Sequence, residues 1–208
     1  PAARSGEKTP YGGESSLHPG KWGGGGDAIR EMTMQSLLQR VGSGEILICD
    51  GAMGTFLQAR GLQPGECPEL WCVDRPDDVR QIHQSYRDAG SDIVECNSFG
   101  GTAYKLKHFG LEGTVRELNF RAAQLAKDVA DGTQYVLGSM GPTGEFMAPL
   151  GLVTEEEFIA AFGAQAKALE EGGADAVIVE TMTALEEAAA AVKAIKAETN
   201  LVTFVSFT

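Results

Sequence analysis

Short apolar runs alternate with amphipathic stretches along most of this chain, and this alternation constrains its fold more than any other feature. Each run has the composition of a buried strand, and each intervening stretch repeats its apolar residues with the 3.6-residue period of a helix. The runs begin at Ile46, Ile93, Tyr135, Ala176 and Leu201. The helical stretches are marked by Val79, Ile82, His83 and Tyr86; by Val115, Leu118, Ala122, Leu125 and Val129; by Phe158, Phe162, Ala166 and Leu169; and by Leu185, Ala188, Val192 and Ile195.

Residues that favour helix ends support these boundaries. Pro76 suits the first turn of a helix, and Thr154 with Glu157 forms a capping box. Gly90 and Gly172 suit the carboxyl ends of helices, where a left-handed backbone is common. The predicted helices therefore begin and end where the apolar periodicity does.

Apolar strands separated by helices indicate a parallel sheet covered by helices, so the chain is predicted to have an α/β fold. The pattern alone is compatible with a closed barrel and with an open doubly wound sheet. A complete eight-stranded α/β barrel needs about 250 residues, and this chain has 208. If the fold is a barrel, we expect it to be incomplete, with about five βα units.

The first 33 residues differ in composition from the rest of the chain. Residues 1–33 are rich in Gly, Ser and Pro, include the run from Gly23 to Gly26, and show no hydrophobic period of either kind. Such a segment cannot bury enough apolar surface to offset its ordering entropy. We predict a flexible tail over residues 1–33 and one folded domain over residues 34–208.

The composition excludes several classes of partner. A formal net charge of −12 disfavours nucleic acid and anionic membranes, both of which need clustered Lys and Arg. The sequence contains neither an apolar run long enough to span a membrane nor the pattern of a secretory signal at its start. We therefore expect a cytoplasmic protein, with its four cysteines as reduced thiols.

Polar residues follow the predicted strands, at the sheet edge where parallel α/β proteins bind their ligands. Asp50 and Glu180 come at the ends of the first and fourth runs, so their carboxylates should face one rim. Paired acids suit an ammonium group, and amides flanked by glycine can bind a carboxylate. Each acid alone could equally be a helix cap or a solvated loop residue. Together they indicate a site for an α-amino acid.

These strand ends also resemble a known family. Five motifs, in the expected order between Glu45 and Thr208, are similar to those of the homocysteine S-methyltransferases, a family that includes betaine-homocysteine methyltransferase and the first module of cobalamin-dependent methionine synthase. The motifs are Asp50-Gly51-Ala52-Met53-Gly54-Thr55; Arg75-Pro76-Asp77 before the His83 helix; Ala89-Gly90-Ser91-Asp92 leading to Asn97-Ser98-Phe99; Gly141-Pro142-Thr143-Gly144; and Ala174-Asp175 leading to Glu180-Thr181.

The resemblance implies a TIM-type (β/α)8 barrel that transfers a methyl group to homocysteine, giving methionine. In this family the substrate sulfur is activated as a zinc thiolate, and a methyl donor or a corrinoid module is a partner. Cobalamin or folate, held by other modules, is a further implication. By resemblance, Asp50 and Glu180 bind the amino group. The other residues expected to line the substrate site are Gly51, Ala52, Thr55, Asn97, Ser98, Phe99 and Gly141.

The zinc ligands of the family do not match any position in this sequence. They are three cysteines, one after the sixth strand and an adjacent pair after the eighth, whereas only five predicted strands precede Thr208. We therefore predict that no catalytic residue and no metal ligand lies in this chain and that, by itself, it is inactive. Cys49 and Cys96 are expected to pack within strands.

Two alternatives remain open at this stage. The chain could be a non-catalytic barrel fragment, or another barrel enzyme with an acidic rim, such as an aldolase or a pterin-binding methyltransferase. A Schiff-base aldolase would need a lysine at a strand end, and none is predicted there. Cys67 and Cys72, with His83, could form a separate metal site, but a second close pair of ligands is missing.

Overall fold

The computed structural model describes residues 36–208. The tail predicted for residues 1–33 lies outside the described residues, so it stays a prediction. The described helices are α1 (Leu37–Gly42), α2 (Met53–Ala59), α3 (Trp71–Asp74), α4 (Pro76–Asp88), α5 (Ala103–Lys107), α6 (Val115–Ala130), α7 (Glu155–Gly172) and α8 (Leu185–Glu198), with a short 3-10 turn at Glu112–Thr114. The strands are β1 (Ile93–Glu95), β2 (Tyr135–Met140), β3 (Ala176–Met182) and β4 (Val202–Phe207).

The four strands form one parallel sheet in the order β1-β2-β3-β4. Val94 pairs with Val136, Gly138 with Val177, and Ile178 with Phe204. A helix connects each strand to the next, so strand order follows chain order. The carboxyl ends of all four strands consequently meet at the same edge of the sheet.

The first predicted strand is much reduced. Only Cys49 forms a parallel bridge, with Ile93, although the backbone beside it still runs along β1, with a hydrogen bond of 3.0 Å from the Asp50 amide to the Ile93 carbonyl. Ile46 and Ile48 are 89% and 61% exposed. Within residues 36–208 this segment has a strand neighbour on one side only, which explains why it does not form a longer ladder.

Helices cover one face of the sheet and form the main core. Phe158 and Phe162 of α7 and Leu125 of α6 are fully or almost fully buried there, together with Val136 and Val177 from the sheet. The predicted apolar positions of α6 and α7 are all buried. Leu185 of α8 is an exception: it was expected on the apolar face but is exposed, because it occupies the first position of its helix, beside the loop.

The opposite face of the sheet packs against α1. Ile93, Leu137 and Ala176 point to this side with Leu37, while alternate residues of the same strands point to the main core. The strands are therefore apolar on both faces, as expected for parallel strands.

The helix termini follow the sequence signals closely. Pro76 begins α4, and Thr154 and Glu157 form the predicted capping box of α7. At the other end of α7 the left-handed residue is Gly173, with φ of 103°, and the predicted Gly172 is the last helical residue. Among the described residues, no helix is both long and apolar enough to cross a membrane.

Candidate functional site

A cavity of about 420 Å³ lies at the carboxyl ends of the strands. Its walls come from five parts of the chain: the turn before α2, the segment before α3, the end of β1 with the loop after it, the end of β2, and the end of β3. The lining residues are Asp50, Gly51, Ala52, Met53, Gly54, Pro68, Glu69, Glu95, Cys96, Asn97, Ser98, Phe99, Ser139 and Glu180. The structure thus brings Asp50 and Glu180, which are far apart in the sequence, to the same cavity.

Asp50 is held in place by the neighbouring strand. Its Oδ1 accepts a hydrogen bond of 2.9 Å from the backbone N–H of Glu95. Burial raises the pKa of Asp50 to about 6, although the hydrogen bond from Glu95 opposes that rise. The carboxylate is therefore fixed in direction but only weakly solvated.

Glu95 is a third carboxylate in this cavity, and it was not among the predicted site residues. Burial and repulsion from Glu180 and Asp50 raise the pKa of Glu95 to about 7. Its Oε1 accepts from the Cys49 Sγ at 3.5 Å. The sequence signal was an acid inside the otherwise apolar run Ile93-Val94-Glu95-Cys96, where a buried strand would normally carry another aliphatic residue.

The Cys49 thiol lies between two of these carboxylates. Cys49 is exposed, so the expectation that it packs inside a strand is wrong. The reason is that its segment forms a single bridge and is uncovered on its other side. Cys96, by contrast, is buried as predicted.

Glu180 stands on a β-bulge. Val179 pairs with Val205 and Met182 with Phe207, so β3 has one more residue than β4 between these pairs. Thr181 adopts φ of 59°, a left-handed conformation that is unfavourable for a β-branched residue. The bulge returns Met182 to the helix-covered core and leaves Glu180 facing the cavity. Backbone strain of this kind is commonly found at functional sites.

Two serines connect Glu180 to the loop after β1. The Ser139 hydroxyl donates a hydrogen bond to Oε1 of Glu180. Ser98 in turn donates through its Oγ to the Ser139 carbonyl at 2.8 Å. Both serines are buried. The carboxylate of Glu180 is consequently oriented by β2 and, through β2, by the loop after β1.

The loop after β1 contributes Asn97, Ser98 and Phe99 to the cavity. Asn97 donates to the Pro68 carbonyl at 2.7 Å, which joins this wall to the segment before α3. Glu69 accepts from the Gly100 amide at 2.7 Å and also lines the cavity. These partly buried contacts attach the loop to the segment before α3.

Gly141 lies behind Phe99 and does not itself line the cavity. Its amide donates to the Phe99 carbonyl at 2.9 Å. A Cβ atom on Gly141 would come within 2.5 Å of the Phe99 ring. A glycine at this position therefore lets the aromatic ring form the cavity wall.

The cavity wall formed by the turn before α2 has small side chains. Gly51 and Ala52 line the cavity, and the Tyr86 hydroxyl donates to the Ala52 carbonyl at 3.1 Å. A ligand can therefore approach the backbone closely here. Thr55, also predicted as a site residue, is exposed on α2 and is not part of the lining.

The charge of the cavity is strongly one-sided. Among the ion pairs formed by residues 36–208, none involves Asp50, Glu95 or Glu180. Glu69 also lines the cavity and forms none of these ion pairs. The four carboxylates favour a positively charged ligand with several donors, such as an ammonium group.

The cysteines near the cavity make ordinary structural contacts. Cys67 donates to Glu69 Oε2 at 3.3 Å, and Cys72 to the Asn97 carbonyl at 3.6 Å. His83 is buried in α4, and burial lowers its pKa to about 4. In the part of the chain that is described, no group of three or more His, Cys, Asp or Glu side chains is arranged to hold a metal ion.

Comparisons with known proteins find similar sequences and structures. Residues 47–208 match the homocysteine S-methyltransferase family. The methionine synthase of Mycobacterium leprae (strain TN) is 38% identical over 173 residues, covering 76% of this chain and 14% of that protein. The methionine synthase of Mycobacterium tuberculosis (strain ATCC 25618 / H37Rv) is 37% identical over 164 residues, covering 72% of this chain and 14% of that protein. The chain thus spans about one seventh of these relatives.

Solved structures show the same relationship. The homocysteine methyltransferase MmuM of Escherichia coli, in its oxidized form, superposes with a TM-score of 0.71 and 28% identity, over 82% of this chain and 65% of that one. Its metallated form superposes with a TM-score of 0.70 and 27% identity, over 82% of this chain and 66% of that one. The likeness confirms the predicted α/β barrel class, of which residues 36–208 form an incomplete part.

Proposed function

The chain belongs to the homocysteine S-methyltransferase family, and from this premise we propose that its carboxylate-lined cavity binds the amino acid end of homocysteine for methyl transfer to the thiol. The observation that carries the proposal is the convergence of Asp50, Glu95 and Glu180 on one cavity, where no cationic side chain of residues 36–208 forms an ion pair with them. Methionine is the expected product.

The proposed role of the carboxylates follows from the chemistry of an ammonium group. An ammonium offers three donors and one positive charge, and the carboxyl groups of Asp50, Glu95 and Glu180 line one cavity as acceptors. Hydrogen bonds to charged groups contribute roughly 1.5 to 3 kcal/mol each. Asp50 and Glu180 are already oriented by hydrogen bonds from Glu95 and Ser139, so little reorganisation is needed on binding.

The α-carboxylate of the substrate, which is bonded to the same carbon as the ammonium group, would lie against the small residues of the turn before α2. Gly51 and Ala52 leave the backbone accessible at the cavity wall, and backbone amides of such turns are suitable donors to a carboxylate. With the ammonium and the carboxylate of the α-carbon both held, the direction in which the sulfur-bearing side chain leaves that carbon is restricted. This restriction would supply the positioning that a displacement reaction requires.

Zinc, which the family resemblance implies, does not fit residues 36–208, because no group of three or more His, Cys, Asp or Glu side chains among them is arranged to hold a metal ion. Burial and the charge of Glu69 raise the pKa of Cys67 to about 12, and burial raises the pKa of Cys72 above its ordinary range. Both effects oppose the thiolate form that binds zinc. We therefore derive no step through a metal. Our proposal is that residues 36–208 bind and orient homocysteine, and that turnover requires ligands supplied elsewhere in the complete protein.

The proposal is tested by measuring methionine formation in the complete protein, supplied with homocysteine, zinc and, in turn, methylcobalamin, betaine or S-methylmethionine. Glu180→Gln should raise the homocysteine concentration needed for half-maximal rate by about 10- to 100-fold, the equivalent of one charged hydrogen bond, and leave that of the methyl donor unchanged. Glu156→Gln, an exposed substitution on α7, is the control. Absence of methionine with every donor, or unchanged kinetics in Glu180→Gln, would contradict the proposal.

A further inference from the structure

We infer that Gln165 and Asn119, two buried amides outside the cavity, are positioning residues that set the cavity loop (residues 97–101) and, through it, the carboxylate of Glu180. The inference rests on the proposed function in one respect, since homocysteine affinity is one of its two readouts. Neither residue lines the cavity.

Gln165 reaches the cavity loop from the middle of α7. It is completely buried, and its Nε2 donates to the Ser98 carbonyl at 2.7 Å and to Asn119 Oδ1 at 3.2 Å. Its Oε1 has no hydrogen-bond partner among the described residues. An unpaired buried acceptor is unfavourable for folding, so overall stability is a poor explanation for a glutamine at this position. A glutamine at this position is better explained by its hydrogen bond to the Ser98 carbonyl, which fixes the position of the Ser98 backbone.

Asn119 holds the other end of the same loop from α6. It is 1% exposed, and its Nδ2 donates to the Gly101 carbonyl at 2.8 Å and to the Val115 carbonyl at 2.7 Å. A Cβ atom on Gly101 would lie 2.1 Å from Asn119 Oδ1 and 2.7 Å from Gln165 Nε2. The two amides therefore pack directly against the loop backbone, and glycine at position 101 permits this contact.

A continuous series of hydrogen bonds connects these amides to the amine-binding carboxylate. Gln165 binds the Ser98 carbonyl, the Ser98 hydroxyl donates to the Ser139 carbonyl, and the Ser139 hydroxyl donates to Glu180. The first two of these bonds are buried, so water does not compete for them, whereas the bond to Glu180 is partly buried at the cavity. A shift of Ser98 should consequently change the direction of Glu180.

The test uses Gln165→Met, which keeps the length of the side chain and removes its donors. We expect amide hydrogen exchange at Ser98, Gly100 and Gly101 to accelerate about tenfold, and the Kd for homocysteine to rise about tenfold. In a Ser139→Ala background, the same substitution should raise the Kd less than about twofold, because the connection to Glu180 is already broken.

Ile195→Val is the matched control, since Ile195 is fully buried in α8, a helix that contributes no residue to the cavity loop or to the cavity lining. It should lower the Tm and leave both the rate of amide hydrogen exchange in the cavity loop and the Kd for homocysteine at wild-type values. If Gln165→Met lowers only the Tm, or its effect on Kd is the same in the Ser139→Ala background, the positioning role is wrong. If the wild type does not bind homocysteine, the proposed function is wrong, and loop exchange alone then supports or overturns the positioning role.

Discussion

The backbone N–H of Glu95 donates a hydrogen bond of 2.9 Å to Oδ1 of Asp50. This contact joins β1 to the segment around Cys49, which pairs with β1 through a single bridge. The carboxyl groups of Asp50 and Glu95 both line the cavity as a result. Because both are poorly solvated and Glu180 is also near, ionising one of these acids makes ionising the next less favourable. The carboxyl groups of Asp50 and Glu95 in the unliganded cavity therefore gain and lose protons near neutral pH.

Homocysteine affinity should increase as the pH rises from about 5.5 to 7.5. Burial raises the pKa of Asp50 to about 6 and that of Glu95 to about 7, so both are mostly neutral at the low end and ionised at the high end, while the ligand ammonium stays charged. We expect about a tenfold decrease in Kd across this range, measured by calorimetry. Glu95→Gln should remove the part of the change near pH 7.

Glu156→Gln, which alters an exposed acid on α7, is the control and should retain the complete pH dependence. An affinity that is constant or falls as the pH rises would show that the cavity acids do not bind the ammonium.

Thr181→Gly should stabilise the protein by about 1 kcal/mol. The strain of a β-branched residue at φ of 59° costs about 1 to 3 kcal/mol. Glycine relieves this strain, but it loses more conformational entropy on folding than threonine does, which offsets part of the gain in stability. Thr203→Gly in β4, where φ is not in the left-handed region, should instead destabilise by about 1 kcal/mol. Urea unfolding measures both. Equal destabilisation by the two substitutions would mean that Thr181 is not strained.

Gly141→Ala should displace the Phe99 ring and weaken homocysteine binding. The added Cβ would lie within 2.5 Å of the ring, so overpacking should cost about 1 to 3 kcal/mol of stability and open the wall of the cavity. Gly113→Ala provides the control, because a Cβ there meets no atom within 4 Å. Thermal unfolding and calorimetry should separate the two variants. A Gly141→Ala protein with wild-type Tm and Kd would contradict the assigned packing.

Local signals in the sequence predicted the helices well because the burial of a helix face depends on its own periodicity. The apolar positions of α6 and α7 and the capping box at Thr154 are examples. Ile46 and Ile48 were predicted as strand residues but are exposed, because the extent of a strand depends on neighbours that a local pattern does not contain.

The meeting of Asp50 and Glu180 at one cavity was predictable, because each of them carries its signal as a polar residue at a strand end. Glu95 was missed because its role depends on two carboxylates brought near it by the fold, one of them 45 residues away. The bulge at Thr181 was also hidden, since the residue in the left-handed conformation is not a glycine. Gln165 resembles any polar residue of a helix until its contact with Ser98, 67 residues away, is seen.

The most direct test of the central claim is to compare the binding of homocysteine with that of 4-mercaptobutanoic acid, which has the same thiol and carboxylate but lacks the amino group. If the carboxylates of Asp50 and Glu180 bind the amine, calorimetry should show the analogue binding about 10- to 100-fold more weakly to the wild type. The difference should shrink in Glu180→Gln and persist in Glu156→Gln. Equal affinity of the two ligands for the wild-type protein would contradict the account.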